Sequence, residues 1–303
     1  MRGVFVILCT PFDAHGNVDE PSLRREVQFC LQAEVHGVVT TANASEFWTL
    51  SDSERTRIVQ VIVEETAWQV PVVAGVTAGS AWTSAMLAKQ AQSSGVDALM
   101  AMPPMTGSVP LPAAYKYYRM LAGAVEIPIF IQNHEPPMGT RMPPEFIVRL
   151  ISEIENVDFV KEETFPPGRA ISAELTLAGP ELKGIMGGIG ARHVFDEHFR
   201  GTCGTMPACP WADLHVRVWN ALESGDADSA RALFGRLLPV MNLESMLGIP
   251  LYKVILQRRG IFATDFVRGS FGNPVDALER SELDRLIGDL QDVLDIAVPN
   301  VPA

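Results

Sequence analysis

Residues Val4-Phe5-Val6-Ile7-Leu8 form a short apolar run, and a segment with helical periodicity follows at Asp19–Val35. The run is apolar at every position rather than at alternate ones, which is typical of a strand buried on both faces of a parallel sheet. The second segment begins at an Asp, a preferred helix N-cap, and places Leu23, Val27 and Leu31 on one face. Together the two segments predict one strand–helix unit.

The same unit recurs through the chain up to residue 224. Further strand-like runs lie at Val38–Thr41, Val72–Gly75, Ala98–Met102, Ile129–Gln132, Phe159–Lys161, Leu182–Met186 and Cys203–Met206. Helix-like segments follow them at Ser51–Glu65, Ser80–Ser94, Leu111–Val125, Pro143–Glu153, Gly168–Leu177, Ala191–Arg200 and Pro210–Glu223. Eight such units predict an α/β fold, a (β/α)8 TIM barrel spanning residues 1–224. A doubly wound sheet is the weaker alternative, because it usually has a Gly-rich first turn and this chain has Cys9-Thr10-Pro11-Phe12-Asp13 there.

The rest of the chain, residues 225–303, contains no strand-like run. Its apolar periodicity predicts helices at Asp226–Leu238, Leu243–Arg259 and Glu279–Ile296. We therefore expect a C-terminal helical extension packed on the barrel.

Composition excludes several classes of function. The 303 residues carry a net charge of −12, with no basic face for a nucleic acid. No apolar run approaches the roughly 18 residues of a membrane helix, and Val4–Leu8 is too short for a secretory signal. We expect a cytoplasmic protein without a membrane partner. Its four cysteines form no C-x-x-C pair and its six histidines no His-x-His, so we expect reduced thiols, no metal and no other cofactor.

The lysines are few enough to judge one by one. Five of the 24 basic residues are lysines, namely Lys89, Lys116, Lys161, Lys183 and Lys253. Catalytic residues of TIM barrels lie at the carboxyl ends of strands, and only Lys161 ends a predicted strand. A neutral lysine there can form a Schiff base with a ketone, and the iminium then accepts electrons. The alternative is an ion pair with Glu162 or Glu163.

Other ionisable residues fall near predicted strand ends. His134 and Glu135 follow the fifth strand and Glu46 follows the second, so each is a candidate proton carrier or ligand contact. His134 is a general base or a structural loop histidine. The glycines of Gly184–Gly190 indicate either a phosphate site or a tight turn.

The order of these motifs resembles the dihydrodipicolinate synthase and N-acetylneuraminate lyase family of class I aldolases, with this chain as a divergent member. The resemblance rests on Thr10-Pro11-Phe12, Glu46 with Thr49-Leu50-Ser51, Glu54-Arg55, Gln132-Asn133, Val160-Lys161-Glu162 and Gly201–Gly204, and it extends over nearly the whole chain. It implies a homo-oligomer, a tetramer or dimer, in which a strand-six lysine forms a Schiff base with pyruvate or another 2-oxo acid. Lys161 occupies the position of that lysine.

The resemblance also assigns the other site residues. The family's Gly-Thr-Thr-Gly-Glu segment, which holds the substrate carboxylate, is replaced by Ala42–Glu46, so Asn43, Ala44 and Glu46 are expected around that carboxylate, with Ser45 as a further side-chain donor. Met206 is expected to line the throat and His134 to contact substrate.

The family's proton-shuttling tyrosine on strand five is replaced by Gln132. A glutamine amide orients groups but does not exchange protons near neutral pH. His134, Glu135, Glu163, a water or the substrate carboxylate must then move the protons. The family's tyrosines after strand four are replaced by Pro104-Met105, and its arginine after strand five by Pro137.

We therefore predict a Schiff-base-forming lyase of the aldolase, dehydratase or deaminase type, with Lys161 and Gln132 in the catalytic set. It acts on a small 2-oxo acid and differs from the lysine-pathway synthase. The alternative is a barrel that has lost its chemistry and binds a 2-oxo acid as a regulatory or binding protein.

Overall fold

The computed structural model describes residues 1–104, 107–269 and 274–294. Eight parallel strands close into a barrel in chain order, which confirms the predicted TIM barrel. The strands are β1 (Gly3–Ile7), β2 (Gly37–Thr40), β3 (Val72–Gly75), β4 (Ala98–Ala101), β5 (Ile129–His134), β6 (Val157–Glu163), β7 (Gly184–Gly187) and β8 (Gly204–Thr205). We predicted that β5 ends at Gln132 and β6 at Lys161, and both predictions were two residues short. The ladder continues through the polar pairs Asn133–Glu162 and His134–Glu163.

Helices alternate with the strands and form the outer layer. They are α1 (Glu20–Gln32), α2 (Asp52–Thr66), α3 (Ala81–Ser93), α4 (Leu111–Ala122), α5 (Pro144–Glu153), α6 (Pro167–Leu177), α7 (Val194–Arg200) and α8 (Ala212–Glu223). Asp19 and Ser51 cap α1 and α2 as their side-chain types predict, and Ser51 and Glu54 form a reciprocal capping box. These caps fix where the chain turns from loop into helix at the mouth of the barrel.

The barrel interior is a packed apolar core. Phe130 of β5 and Phe159 of β6 stack with ring centroids 4.6 Å apart, and both side chains are buried. Phe159 lies two residues before Lys161, so the two side chains point to the same face of β6. The stacked rings therefore give Lys161 an apolar floor.

Three more helices follow the barrel: α9 (Ala227–Leu247), α10 (Ile249–Arg258) and α11 (Ala277–Leu290). We predicted a break between Leu238 and Leu243, and that prediction was wrong. Pro239 lies inside α9, and the chain breaks instead at Gly248, which has φ +61°. Buried residues on both sides of Pro239, including Leu237 and Val240, hold the helix together through tertiary packing despite the missing N–H.

The C-terminal helices share a core with the end of the barrel. Leu237 and Leu251 pack with Trp211 and Leu214, which belong to the turn and helix after β8. The predicted third helix, Glu279–Ile296, starts two residues after the first residue of α11, and α11 ends earlier, at Leu290. The last two residues predicted for this helix lie outside the described part of the chain. Among the described helices, none has both the length and the apolar composition needed to cross a membrane.

Candidate active site at the mouth of the barrel

Lys161 and Glu163 project from the same face of β6 into the mouth of the barrel. Side chains alternate along a strand, so Glu162 between them faces outward toward the helices. Lys161 Nζ lies 3.1 Å from Glu163 Oε1, and both side chains are buried. Of the two ion-pair partners that the sequence allows for Lys161, Glu162 and Glu163, the structure therefore shows Glu163.

Two further groups hold the Glu163 carboxylate. Gln132 Nε2 donates to Oε2 at 2.6 Å, and the Ile189 backbone N–H donates to Oε1 at 3.1 Å. Burial acts to raise the pKa of Glu163, but Lys161, His134 and these hydrogen bonds outweigh it and hold the pKa below its ordinary value. Glu163 is therefore an oriented, ionised carboxylate beside the lysine amine.

The glycine-rich turn after β7 makes room for this carboxylate. A Cβ on Gly188 would lie 2.3 Å from Glu163 Cγ. Gly190 has φ +64°, a left-handed conformation that glycine adopts without strain. Close packing and turn geometry account for these glycines without a phosphate.

A cavity of about 400 Å³ opens over the amine. Of the predicted site residues, Asn43, Ala44, His134, Lys161 and Met206 line it. Gln132 and Glu46 do not appear among the lining residues. Gln132 is the register neighbour of Lys161 on β5, and its amide is directed to Glu163. Gln132 is thus placed to position the carboxylate rather than to touch a ligand.

Asn43 and Ala44 begin a short 3-10 turn after β2, at Asn43–Ser45. The first N–H groups of a helical turn have no acceptor within it, so they are available to an anion. Among the described residues, the buried Asn43 Oδ1 also has no hydrogen-bond partner. Ser45 is used elsewhere, because its hydroxyl donates to Leu8 O and accepts from Ala42 N.

Glu46 forms a buried ion pair with Lys253 of α10. Its other oxygen accepts the backbone N–H groups of Arg268 and Gly269, each at 3.2 Å. Burial lowers the pKa of Lys253 although Glu46 opposes the shift, and the ammonium lies 4.3 Å from the centre of the Phe12 ring. Glu46 thus ties the segment after α10 to the barrel and lies beside the cavity rather than in it.

His134 lines the cavity at the end of β5. Its Nδ1 lies 2.9 Å from the carbonyl oxygen of Glu135. A carbonyl only accepts, so this contact requires the proton on Nδ1 and leaves Nε2 as an acceptor in the neutral ring. His134 is therefore arranged to receive a proton or a hydrogen bond from a bound molecule.

Several lining residues carry no sequence signal that predicts their place. Arg192 comes from the turn after β7, Glu244 and Ser245 from α9, and Tyr252 from α10. The other three tyrosines lie on α4, where Tyr117 bonds Ser84 and Tyr118 bonds the Ala101 carbonyl. Burial raises the pKa of Tyr252 far above its ordinary value, so its hydroxyl stays protonated.

One buried group of metal-ligand residue types lies outside the cavity. Cys9, Glu26 and Cys209 place their ligand atoms within 4.8 Å of one another. Glu26 Oε1 accepts from Cys9 N at 2.8 Å and from Cys209 Sγ at 3.0 Å. Burial raises the pKa of Glu26 to about 8, so the carboxyl is held neutral in a hydrogen-bonded core cluster.

Comparison with known proteins gives concordant matches. The profile of the dihydrodipicolinate synthetase family matches residues 1–290. An L-2-keto-3-deoxyarabonate dehydratase of Azospirillum brasilense is 30% identical over 268 residues, covering 87% of this chain and 86% of the relative. A 4-hydroxy-tetrahydrodipicolinate synthase of Methanopyrus kandleri is 31% identical over 256 residues, covering 79% and 80%. The crystal structure of a dihydrodipicolinate synthase from Rhodopseudomonas palustris has the same fold, with a TM-score of 0.89, 24% identity and coverage of 96% and 98%.

Proposed function

Because the chain belongs to the dihydrodipicolinate synthetase family, as a divergent lyase-type enzyme, we propose that Lys161 forms a Schiff base with the ketone of a 2-oxo acid. The observation that carries the proposal is the buried amine at the barrel mouth, 3.1 Å from an oriented carboxylate and open to a cavity. The nucleophile in this reaction is the neutral form of the amine, which attacks the ketone carbon.

The proposed reaction is a dehydration. The Lys161 amine adds to C2 of the substrate, and the carbinolamine loses water to give the iminium. Glu163 then removes a proton from C3, and the enamine electrons expel a hydroxyl from C4, which leaves as water after taking a proton back from Glu163. Hydrolysis of the remaining iminium releases the product and restores the amine. Glu163 thus carries the proton that a tyrosine on β5 would otherwise carry.

Two observations favour dehydration of a hydroxylated 2-oxo acid over the lysine-pathway reaction. The relative that covers 87% of this chain is a keto-deoxy sugar acid dehydratase. The cavity of about 400 Å³ is within the usual range for small-molecule sites, roughly 300–1,000 Å³, and has room for more than a three-carbon acid.

The remaining residues take supporting roles in this proposal. Asn43 and Ala44 bind the substrate carboxylate through the turn after β2, and Met206 lines the throat. His134 accepts a hydrogen bond from the substrate through Nε2, and Gln132 positions Glu163. Glu46, for which the sequence predicts a place beside the carboxylate, instead follows the Asn43–Ser45 turn directly and is held by its ion pair with Lys253.

Reduction with borohydride in the presence of pyruvate tests the Schiff base. We expect a stable adduct on a peptide containing Lys161, and none in Lys161→Ala. Lys183→Met is the matched control, because it removes an exposed lysine that lies outside the cavity, just before β7. If none of the 2-oxo acids tried gives an adduct on Lys161, the proposal is overturned. An adduct without turnover of any hydroxylated 2-oxo acid would favour the alternative, a binding protein.

We also propose that the protein is a cytoplasmic homo-oligomer. Trp82 and Met86 lie one turn apart on α3 with 71% and 50% of their surface exposed, an apolar patch that a second copy would cover. Light scattering after size exclusion should give a dimer or tetramer mass. A monomer at micromolar concentration would contradict this part of the proposal.

A further inference from the structure

A second group of polar side chains lines the cavity away from the carboxylate site proposed at Asn43 and Ala44. Arg192 belongs to the turn after β7, and Glu244 lies on α9. In the closed barrel, β1 and β8 separate β2 from β7. The cavity therefore has polar groups at two separate places around Lys161.

Arg192 supplies a fixed positive charge at this second place. Its Nε donates to the Ile189 carbonyl at 3.1 Å, and its Nη1 donates to the Ser245 hydroxyl. These two contacts orient the guanidinium and leave other N–H donors free. Within the described ranges, no carboxylate lies at ion-pair distance from Arg192, whereas the charge of Lys161 is balanced by Glu163. Arg192 is thus the unbalanced cation of the cavity lining.

Glu244 does not supply the missing negative charge. Its side chain is buried, and its Oε1 has no hydrogen-bond partner among the described residues. Burial raises the pKa of Glu244 to about 8 although Arg192 acts to lower it, so the carboxyl carries a proton at neutral pH. A neutral carboxyl is a hydrogen-bond donor, and this group therefore adds a donor beside the guanidinium.

We propose that Arg192 and Glu244 bind a second carboxylate at the far end of the substrate, so that the enzyme prefers 2-oxo acids with a carboxylate at each end. The inference rests on the proposed Schiff-base function and names its substrate class. A terminal carboxylate satisfies both groups at once, through a charge-assisted bond to Arg192 and a bond from Glu244. A terminal methyl or hydroxymethyl group leaves the guanidinium without a counter-charge.

Matched pairs of imine-forming probes test the preference. 2-Oxoglutarate is compared with 2-oxopentanoate, and 2-oxoadipate with 2-oxohexanoate, by the concentration that half-saturates borohydride trapping on Lys161. In the native enzyme we expect half-saturation at a concentration at least tenfold lower for one dicarboxylate than for its partner, as a charged hydrogen bond implies. Arg192→Met should reduce the ratio to less than threefold, and Arg192→Lys should retain part of it.

Two controls keep the outcomes apart. Trapping with pyruvate, which has no second carboxylate, should be unchanged in Arg192→Met and shows that the variant is folded. Arg285→Met removes an exposed arginine of α11 and should keep the full ratio. Equal half-saturation within both pairs, or a ratio unchanged in Arg192→Met, overturns the inference while Schiff-base formation stands. A native enzyme that traps neither pyruvate nor any of the other 2-oxo acids refutes the proposed function itself.

Discussion

Replacement of Glu163 by glutamine should separate imine formation from the proton transfer that follows it. The carboxylate lies 3.1 Å from Lys161 Nζ, which gives a gross attraction of about 5 kcal/mol at an effective dielectric constant of about 20. Glu163→Gln removes this attraction, and the ammonium loses its counter-charge. Attack by the neutral amine is therefore not impaired, and borohydride trapping of pyruvate should persist at the native level or above it.

Turnover should fall in the same variant, because an amide does not accept the C3 proton. General acid–base catalysis contributes roughly 10²–10⁴-fold, so we expect kcat to fall by a factor in that range. Glu162→Gln is the matched control, since it makes the same change one residue away on the outward face of β6, and its kcat should stay within about threefold. A Glu163→Gln enzyme with kcat within about fivefold of the native value, or one that loses trapping as Lys161→Ala does, would refute the assignment.

Three further predictions concern residues around the site. Burial raises the pKa of Glu197 to about 8, so ionisation of this group destabilises the folded state as pH rises from about 4.5 to 8. Urea unfolding at several pH values should therefore show that the free energy of unfolding of Glu197→Gln, relative to that of the native protein, increases by about 4–5 kcal/mol over this range. A difference that does not change with pH would contradict this prediction. Gly188→Ala should lower kcat at least tenfold, because the added Cβ would clash with the Glu163 side chain and displace its carboxylate. The kcat and the melting temperature should be measured together, and an unchanged kcat would exclude this displacement. Lys253→Met should lower the free energy of unfolding by about 3–5 kcal/mol, because it leaves the buried Glu46 carboxylate without its partner cation. Urea unfolding of the double variant Lys253→Met/Glu46→Gln should show that most of this stability is recovered, and no recovery would refute the pairing.

The barrel follows from the sequence because its strands are short, buried on both faces and separated by capped helices. Each of the eight runs corresponds to a strand, and the Ser51–Glu54 box begins α2 where its side chains predict. Errors fall where tertiary contacts override local preference. Pro239 predicts a helix end by its missing N–H, yet packing of its neighbours carries α9 on to Gly248. Polar residues predicted an early end to β6, yet they pair with β5 at the mouth.

The sequence predicts the site residues that follow strands but not those that belong to the C-terminal helices, and the reason is geometric. Residues that follow a strand, such as Asn43 and His134, can be placed at the mouth by the barrel rule alone. Glu244 and Tyr252 reach the same cavity from helices that follow the barrel, and no spacing relates them to Lys161. Lys253 also lies in a C-terminal helix, and nothing in the sequence indicates that it is the buried ion-pair partner of Glu46.

The glutamine on β5 and the glutamate on β6 are best understood as one arrangement. A tyrosine in place of Gln132 would carry its own proton, and Glu163 would then have no such task. Gln132 instead donates at 2.6 Å to Glu163, and the register of β5 and β6 places Gln132 directly beside Lys161. The amide therefore orients the carboxylate while leaving its other oxygen to the amine. Loss of the tyrosine does not by itself indicate a barrel without chemistry, because the proton carrier that we propose, Glu163, lies on the strand that bears the lysine.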